Sequence, residues 1–344
     1  MLGPREIAAL IDPLMREAVA ALDGQAPLLA GMVRYHLGYV DQTLQPVVDG
    51  IDRGKRVRPA VALLAAGAAG GDPAVAAPVA AALELLHNFT LIHDDIQDES
   101  PTRRHRPTVW SLWGSKQAIN AGDALFAAAH LPLYALPSRG VSADLTMRLL
   151  AAFDRMTIAI VEGQTNDLQF EERADVMPVE YLAMIGGKTA AIVRYAAWAG
   201  ALLGGASEAD AARWDAFGLA LGLGFQIHDD LLGIWGATAE TGKAPADDIR
   251  RRKQSLPILL LRERLPGEER AMLDALYAAE SIDPVGVDAV LSLLAREGIQ
   301  AEVAHEVARY HDQAIRALAA TSTASNAHRR QLEALVEQLA TRTG

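Results

Sequence analysis

The chain has 344 residues, 51% of them apolar, and its 32 basic and 43 acidic side chains leave a net charge of −11. That balance argues against a nucleic-acid or anionic-membrane partner, since both require a basic face. Cysteine is absent, which excludes disulfides, zinc–thiolate sites, iron–sulfur clusters and cysteine nucleophiles.

Residues 1–24 are amphipathic, with Arg5, Asp12, Arg16 and Asp23 scattered along them, and lack the basic-then-apolar order of a secretory signal. The longest apolar run, 60–71, stops at Asp72 and is too short to cross a bilayer. A soluble, cytoplasmic protein without a membrane span is therefore expected. Apolar residues recur three and four apart, as at Leu83, Leu86 and Leu91, or Leu145, Leu149 and Phe153. Breakers separate these stretches at Pro27, Pro46, 70–73, 137–140, Pro178, Gly204-Gly205 and Pro266-Gly267. The pattern predicts about a dozen helices with few or no strands. Segments 78–96, 179–203 and 214–234 are apolar nearly all round, as helices at the centre of a large bundle are. An all-α fold, a single helical domain spanning 1–344, follows from this reading.

One internal likeness stands out. Leu91-Ile92-His93-Asp94-Asp95-Ile96-Gln97-Asp98 resembles Phe225-Gln226-Ile227-His228-Asp229-Asp230-Leu231-Leu232, each placing adjacent aspartates at the far end of an apolar helix. Asp94 and Asp98 share a helix face, with Asp95 about 100° round from Asp94. Like charges so close need a cation, and hard oxygen donors suit Mg²⁺, which takes one or two carboxylates besides phosphate oxygens and water. Basic residues follow or precede these acids: Lys55, Arg56 and Arg58; 103–106; Lys243; and 250–253. In an acidic protein they suggest a local phosphate pocket.

Taken in order, these residues resemble the trans-isoprenyl diphosphate synthase (polyprenyl synthetase) family over nearly the whole chain. Gly54-Lys55-Arg56-Val57-Arg58-Pro59 is similar to the family's Gly-Lys-x-x-Arg-Pro element. Asp94, Asp95 and Asp98 with Arg103-Arg104 resemble its first aspartate-rich motif and trailing arginine pair. Gln164 and Asp167, Lys188-Thr189, Phe225-Gln226 with Asp229-Asp230, and the later Lys243 and Lys253 match the remaining elements. The resemblance implies the isoprenoid synthase fold with a central active-site cavity, and a homodimer. It implies Mg²⁺, about three ions by family analogy, held by Asp94, Asp98 and Asp229. The implied reaction joins isopentenyl diphosphate, bound by Lys55, Arg58, His87 and Arg104, to an allylic diphosphate bound by Arg103, Lys188, Lys243 and Lys253. Thr189 and Gln226 would lend dipoles to the allylic cation.

Three positions depart from the pattern: the second motif ends in Gly233 rather than an acid, and His105 and Arg252 replace glycines. An aromatic at Phe89 with Thr90 beside it resembles synthases that stop at geranylgeranyl diphosphate (C20), with farnesyl diphosphate (C15) next. Two other readings share the motifs in part. A class I terpene cyclase would not need a second diphosphate pocket, whereas Lys55, Arg58 and Arg104 are all present. A non-catalytic subunit of a heteromeric prenyltransferase would tend to lose motif acids, and this chain keeps five of them.

Overall fold

Proline opens helix after helix. Pro4, Pro27, Pro178 and Pro284 stand in first turns, where the missing N–H has no intrahelical partner to lose. The computed structural model describes residues 2–47, 54–236 and 246–341. Its helices are α1 (Pro4–Ala20), α2 (Pro27–His36), α3 (Val57–Ala68), α4 (Ala77–Gln97), α5 (Val109–Trp113), α6 (Ser115–His130), α7 (Ala143–Glu171) and α8 (Pro178–Ile185). They continue as α9 (Ala191–Leu203), α10 (Glu208–Trp235), α11 (Asp247–Arg250), α12 (Leu256–Arg264), α13 (Gly267–Ala278), α14 (Pro284–Arg296), α15 (Ile299–Ala319) and α16 (Ala327–Thr341). Among the described residues twelve helices reach ten residues or more, and the only strands are the two-residue pair β1 (Thr102–Arg103) and β2 (Arg106–Pro107). The all-α expectation holds. The apolar segment 179–203 is not one helix, however: a π-helical turn, Gly186–Ala190, separates α8 from α9.

The chain divides into two compact units, Met1–Ala152 with Ala196–Ala211 and Thr323–Gln331, and Phe153–Tyr195 with Ala212–Ser322 and Leu332–Gly344. In the first, α4 is the core element, packed by α1, α3 and α6. Ala80, Ala81, Ala82, Leu83, Leu85 and Leu86 are all fully buried, so the helix hides every face rather than one stripe. Segment Pro73–Gln97, whose apolar run is interrupted at Glu84, is by length and composition apolar enough to cross a membrane. Its apolar window is 78% buried inside the protein, which is the signature of a core helix.

Where α9 crosses α3, glycine lets the backbones touch. A Cβ at Gly200 would lie 2.2 Å from the Ala62 carbonyl oxygen, and one at Gly204 equally close to that of Ala66.

The second unit is built on α12, packed by α8, α14 and α15, with Ile258, Leu259 and Leu261 fully buried. Arg262 lies in this core, 2% exposed, and its Nε donates to Asp274 at 2.8 Å while Nη1 donates to Gln254. His228 donates from Nδ1 to the Leu339 carbonyl at 2.8 Å, tying α16 to α10.

Overpacking a core contact costs about 1–3 kcal/mol. Gly200→Ala should thus lower the unfolding free energy by about 2 kcal/mol, measured by urea denaturation. A midpoint unchanged from the parent protein would show that α3 and α9 can part at no cost.

Candidate active site

In the first unit α4 delivers its acids at its C-terminal end. Asp94 is half-buried, Asp95 buried, and Asp98, the C-cap, exposed. A helix C-terminus already carries partial negative charge, so carboxylates there are disfavoured unless something positive answers them. Asp95 is answered within the protein: Arg103 donates from Nε at 2.7 Å. Burial nonetheless pushes the Asp95 carboxyl up to about 6, against the lowering pull of Arg103. Asp94 and Asp98, on the more open faces, remain the pair suited to a cation.

Arg103 and Arg104 ride on the β1–β2 hairpin. Arg104 lies directly over Gly54, where a Cβ would stand 2.5 Å from its Nη2, and Gly54 itself has φ +82°. Glycine is required there twice over, for the left-handed backbone and for the close guanidinium. Around this hairpin lies a solvent-open recess lined among others by His36, Asp95, Arg103, Arg104 and Arg106. Arg58 sits in the first turn of α3 and Lys55 is exposed just before it. Desolvation and the neighbouring Arg58, Arg104 and Arg103 hold His87 well below the usual histidine range. Burial and Arg103, Arg104 and Arg106 push His36 down to about 3. Both imidazoles are therefore neutral at pH 7 and can offer hydrogen bonds without adding charge.

His36 had no assigned part in the sequence reading, and Arg106 entered it only as a member of the basic run 103–106. Arg106 donates to the Tyr35 carbonyl at 3.0 Å and lies 4.2 Å over the Tyr35 ring, pinning the hairpin to α2. Deeper along α4, Phe89 packs on Phe126 of α6 with ring centroids 5.3 Å apart, and edge-on to His93 at 4.8 Å. Phe126 was not singled out from sequence, because only the α4–α6 packing brings it to Phe89. The Thr90 hydroxyl donates back to the His87 carbonyl, so it is spent within the helix.

The second unit repeats the division between paired acids. Asp229 is half-buried, whereas Asp230 is 4% exposed and accepts from Tyr181 Oη at 2.5 Å, Gln226 Nε2 at 3.2 Å and the Leu256 N–H at 3.2 Å. Burial pushes Asp230 up to about 7 in spite of these donors. In each pair, then, the second aspartate is buried and anchors the fold, and the first is only half-buried. Gln226 passes the anchoring on, for its Oε1 accepts from the Thr189 hydroxyl at 2.8 Å. Thr189 and Lys188 lie in the π-helical turn, a local irregularity common at functional sites. Lys188 is ion-paired with Asp167, and Gln164 lies one turn earlier on the same helix, half-buried. Lys253 is exposed, its Nζ 3.8 Å from Asp248 Oδ1. Lys243 lies outside the described residues.

Among the described residues no three acidic or histidine side chains converge into a closed metal cage. That is compatible with Mg²⁺, which needs only one or two protein carboxylates when phosphate supplies the rest. Asp94 and Asp229, half-buried hard-oxygen donors, fit that requirement.

The polyprenyl synthetase family model matches residues 41–294. The chain belongs to the polyprenyl synthetase family. The (2E,6E)-farnesyl diphosphate synthase of Mycobacterium tuberculosis is 45% identical over 249 residues, 72% of this chain and 67% of that protein. The geranylgeranyl diphosphate synthase of the same organism is 41% identical over 260 residues, 75% and 72% of the two chains. A crystal structure of polyprenyl synthetase from Streptomyces coelicolor A3(2) matches with TM-score 0.86 and 37% identity, over 97% of this chain and 98% of that one.

Two of the departures from the polyprenyl synthetase pattern now have a physical reading. His105 has φ 60° and Arg252 has φ 55°, so both stand where the backbone is left-handed and glycine is free of strain. Arg104 and His105 form the two-residue hairpin turn, both with positive φ, as a type I′ turn demands. The loops keep glycine's conformation with other residues in them. Arg252 recovers part of that cost by donating from Nη1 to the Ala279 carbonyl at 2.5 Å. His105→Gly should therefore raise stability by about 1 kcal/mol. Arg252→Gly should change it little, since the relief is offset by a lost hydrogen bond of similar size. Paired thermal melts of the two variants check the contrast.

Proposed function

We propose that this protein is a Mg²⁺-dependent, short-chain isoprenyl diphosphate synthase, joining isopentenyl diphosphate head-to-tail to an allylic diphosphate. The observation that carries the reading is the division of each aspartate pair into a buried anchor and a half-buried partner, within a member of this family that retains the basic elements. Residues 1–344 would work as one synthase domain, soluble and cytoplasmic, the long apolar segment Pro73–Gln97 being a core element. A homodimer is in keeping with the exposed apolar side chains Met147, Ile158 and Val161 on α7, each at least half exposed.

When bound by Asp94, Asp98 and Asp229, Mg²⁺, about three ions by family analogy, supplies positive charge against the departing diphosphate. Arg103 keeps its orientation through Asp95, and Lys188 through Asp167. With Lys243 and Lys253 they would bind the allylic diphosphate and stabilise its charge as the C–O bond breaks. The allylic cation needs dipoles without a trapping nucleophile. The Gln226 amide oxygen and Thr189 suit that need, and the hydrogen bonds Thr189–Gln226–Asp230 hold them in place. Lys55, Arg58, Arg104 and neutral His87 would hold isopentenyl diphosphate, whose double bond attacks the cation. The released diphosphate can take up the proton lost in that step, so no general base is required of the chain.

Product length is set by where the growing tail meets bulk. Phe89, backed by Phe126, would form the floor, with C20 the expected product and C15 next. Both activities are represented among the relatives. Purified protein incubated with Mg²⁺, isopentenyl diphosphate and C5, C10 or C15 primers should elongate alone, as read by chromatography of the dephosphorylated alcohols. Diphosphate release with cyclised hydrocarbon and no elongation would mark a terpene cyclase, and inactivity without a second subunit would mark a regulatory chain. Asp94→Ala should lower kcat/KM by about 10³-fold or more, and near-normal turnover would contradict its metal role. Phe89→Ala should shift products to longer chains, whereas an unchanged distribution would remove Phe89 from the floor.

A further inference from the structure

Among the described residues Arg262 is the only arginine or lysine enclosed by the core, on α12 beside the fully buried Leu259 and Leu261. Taking a guanidinium out of water is costly, and an apolar side chain of similar volume in such a place is often as stable or more so. Its Nη2 is, moreover, buried with no hydrogen-bond partner among the described residues. Stability alone therefore does not account for a charge at this position.

The guanidinium joins two partners. Nε donates to Asp274 Oδ1 on α13 at 2.8 Å, and Nη1 donates to Gln254 Oε1 at 2.8 Å, eight residues back along the chain. Asp274 is half-buried and has a second cation, Arg270, 3.9 Å away, so it does not depend on Arg262 for neutralisation. Gln254 is placed differently, because its amide is held at both ends: Nε2 donates to the Arg173 carbonyl at 3.2 Å. The Arg173 side chain is itself fixed by Asp175 and Glu180. Two residues beyond Gln254, the Leu256 N–H donates to Asp230 at 3.2 Å. One residue before it stands Lys253, exposed. A lysine is a point charge on a flexible stem, so the reach of its ammonium depends on where the backbone places its Cα. Only a planar fork such as guanidinium can hold Asp274 and Gln254 at once.

We propose that Arg262 is a positioning residue for Lys253: through Gln254 it fixes the segment 253–256, so that Lys253 is presented to the allylic diphosphate. The proposal rests on the synthase reading above. It also gives a reason for burying a charge in a helix whose other enclosed side chains are apolar.

The test is steady-state kinetics of the full chain with Mg²⁺, isopentenyl diphosphate and the best of the C5, C10 and C15 primers. It compares the parent protein with Arg262→Met, Gln254→Ala, Lys253→Ala and the double variant Arg262→Met/Lys253→Ala. Misplacing a binding group by about 1 Å can cost about 100-fold. Arg262→Met and Gln254→Ala should each raise KM for the primer by about tenfold or more. KM for isopentenyl diphosphate should stay unchanged, since its proposed ligands Lys55, Arg58, His87 and Arg104 lie in the other unit. In the Lys253→Ala background Arg262→Met should add nothing, because a residue acting through Lys253 has nothing left to place. An unchanged primer KM, a rise shared equally by both substrates, or an Arg262→Met effect as large without Lys253 as with it overturns the proposal and leaves the synthase reading intact. If Arg262→Met fails to fold, Gln254→Ala, alone and combined with Lys253→Ala, decides by the same criteria. A parental primer KM in Lys253→Ala also overturns it, whereas a parent protein that elongates no primer removes the synthase reading and this proposal with it.

Discussion

A carboxylate at the end of an apolar helix has to find positive charge, and much of this structure is arranged around that need. Water is scarce along α4 and α10, so each acid must be paired, hydrogen-bonded or left open to a cation. Asp95 takes an arginine and Asp230 takes a phenol, an amide and a backbone N–H. Satisfying the second member of each pair fixes the helix rotation that leaves the first member facing outwards. Under the proposed function, the contacts of Arg103 with Asp95 and of Tyr181 with Asp230 therefore also help to set the direction in which Asp94 and Asp229 are presented.

The basic side chains obey the same logic. Arg103 and Lys188 are held by acidic partners, which limits their rotamers and prepares them for an anionic substrate. Arg104 is instead located by the bare backbone of Gly54. The neutral histidines among these arginines relieve repulsion, because protonating them would add charge to a crowded cationic pocket.

The helical architecture was legible because composition and breakers agree. Proline or paired glycine marks the starts of α2 and α8 and the ends of α3 and α9, and the apolar lead-ins to both acidic motifs lie on buried helices. Four kinds of information were not. Which aspartate of a pair turns inwards depends on partners far away in sequence, as Leu256 is from Asp230. Residues without a motif, such as Phe126 and His36, gain meaning only from the helix packed against them. Arg262 reads in one dimension as a basic residue near a helix end, and only the packed structure shows it buried and reaching back to Gln254. The split of 179–203 was also hidden, since Gly186-Gly187 within an apolar run does not distinguish a π-helical turn from an uninterrupted helix.

The clamp between His228 and the carbonyl of Leu339 carries a practical consequence. The imidazole is the immediate neighbour of Asp229, so α16 is hydrogen-bonded to the same turn of α10 that carries this acid. Proteolytic nicks or insertions near Leu339 would therefore loosen the turn of α10 that carries Asp229, the acid proposed to hold the cation.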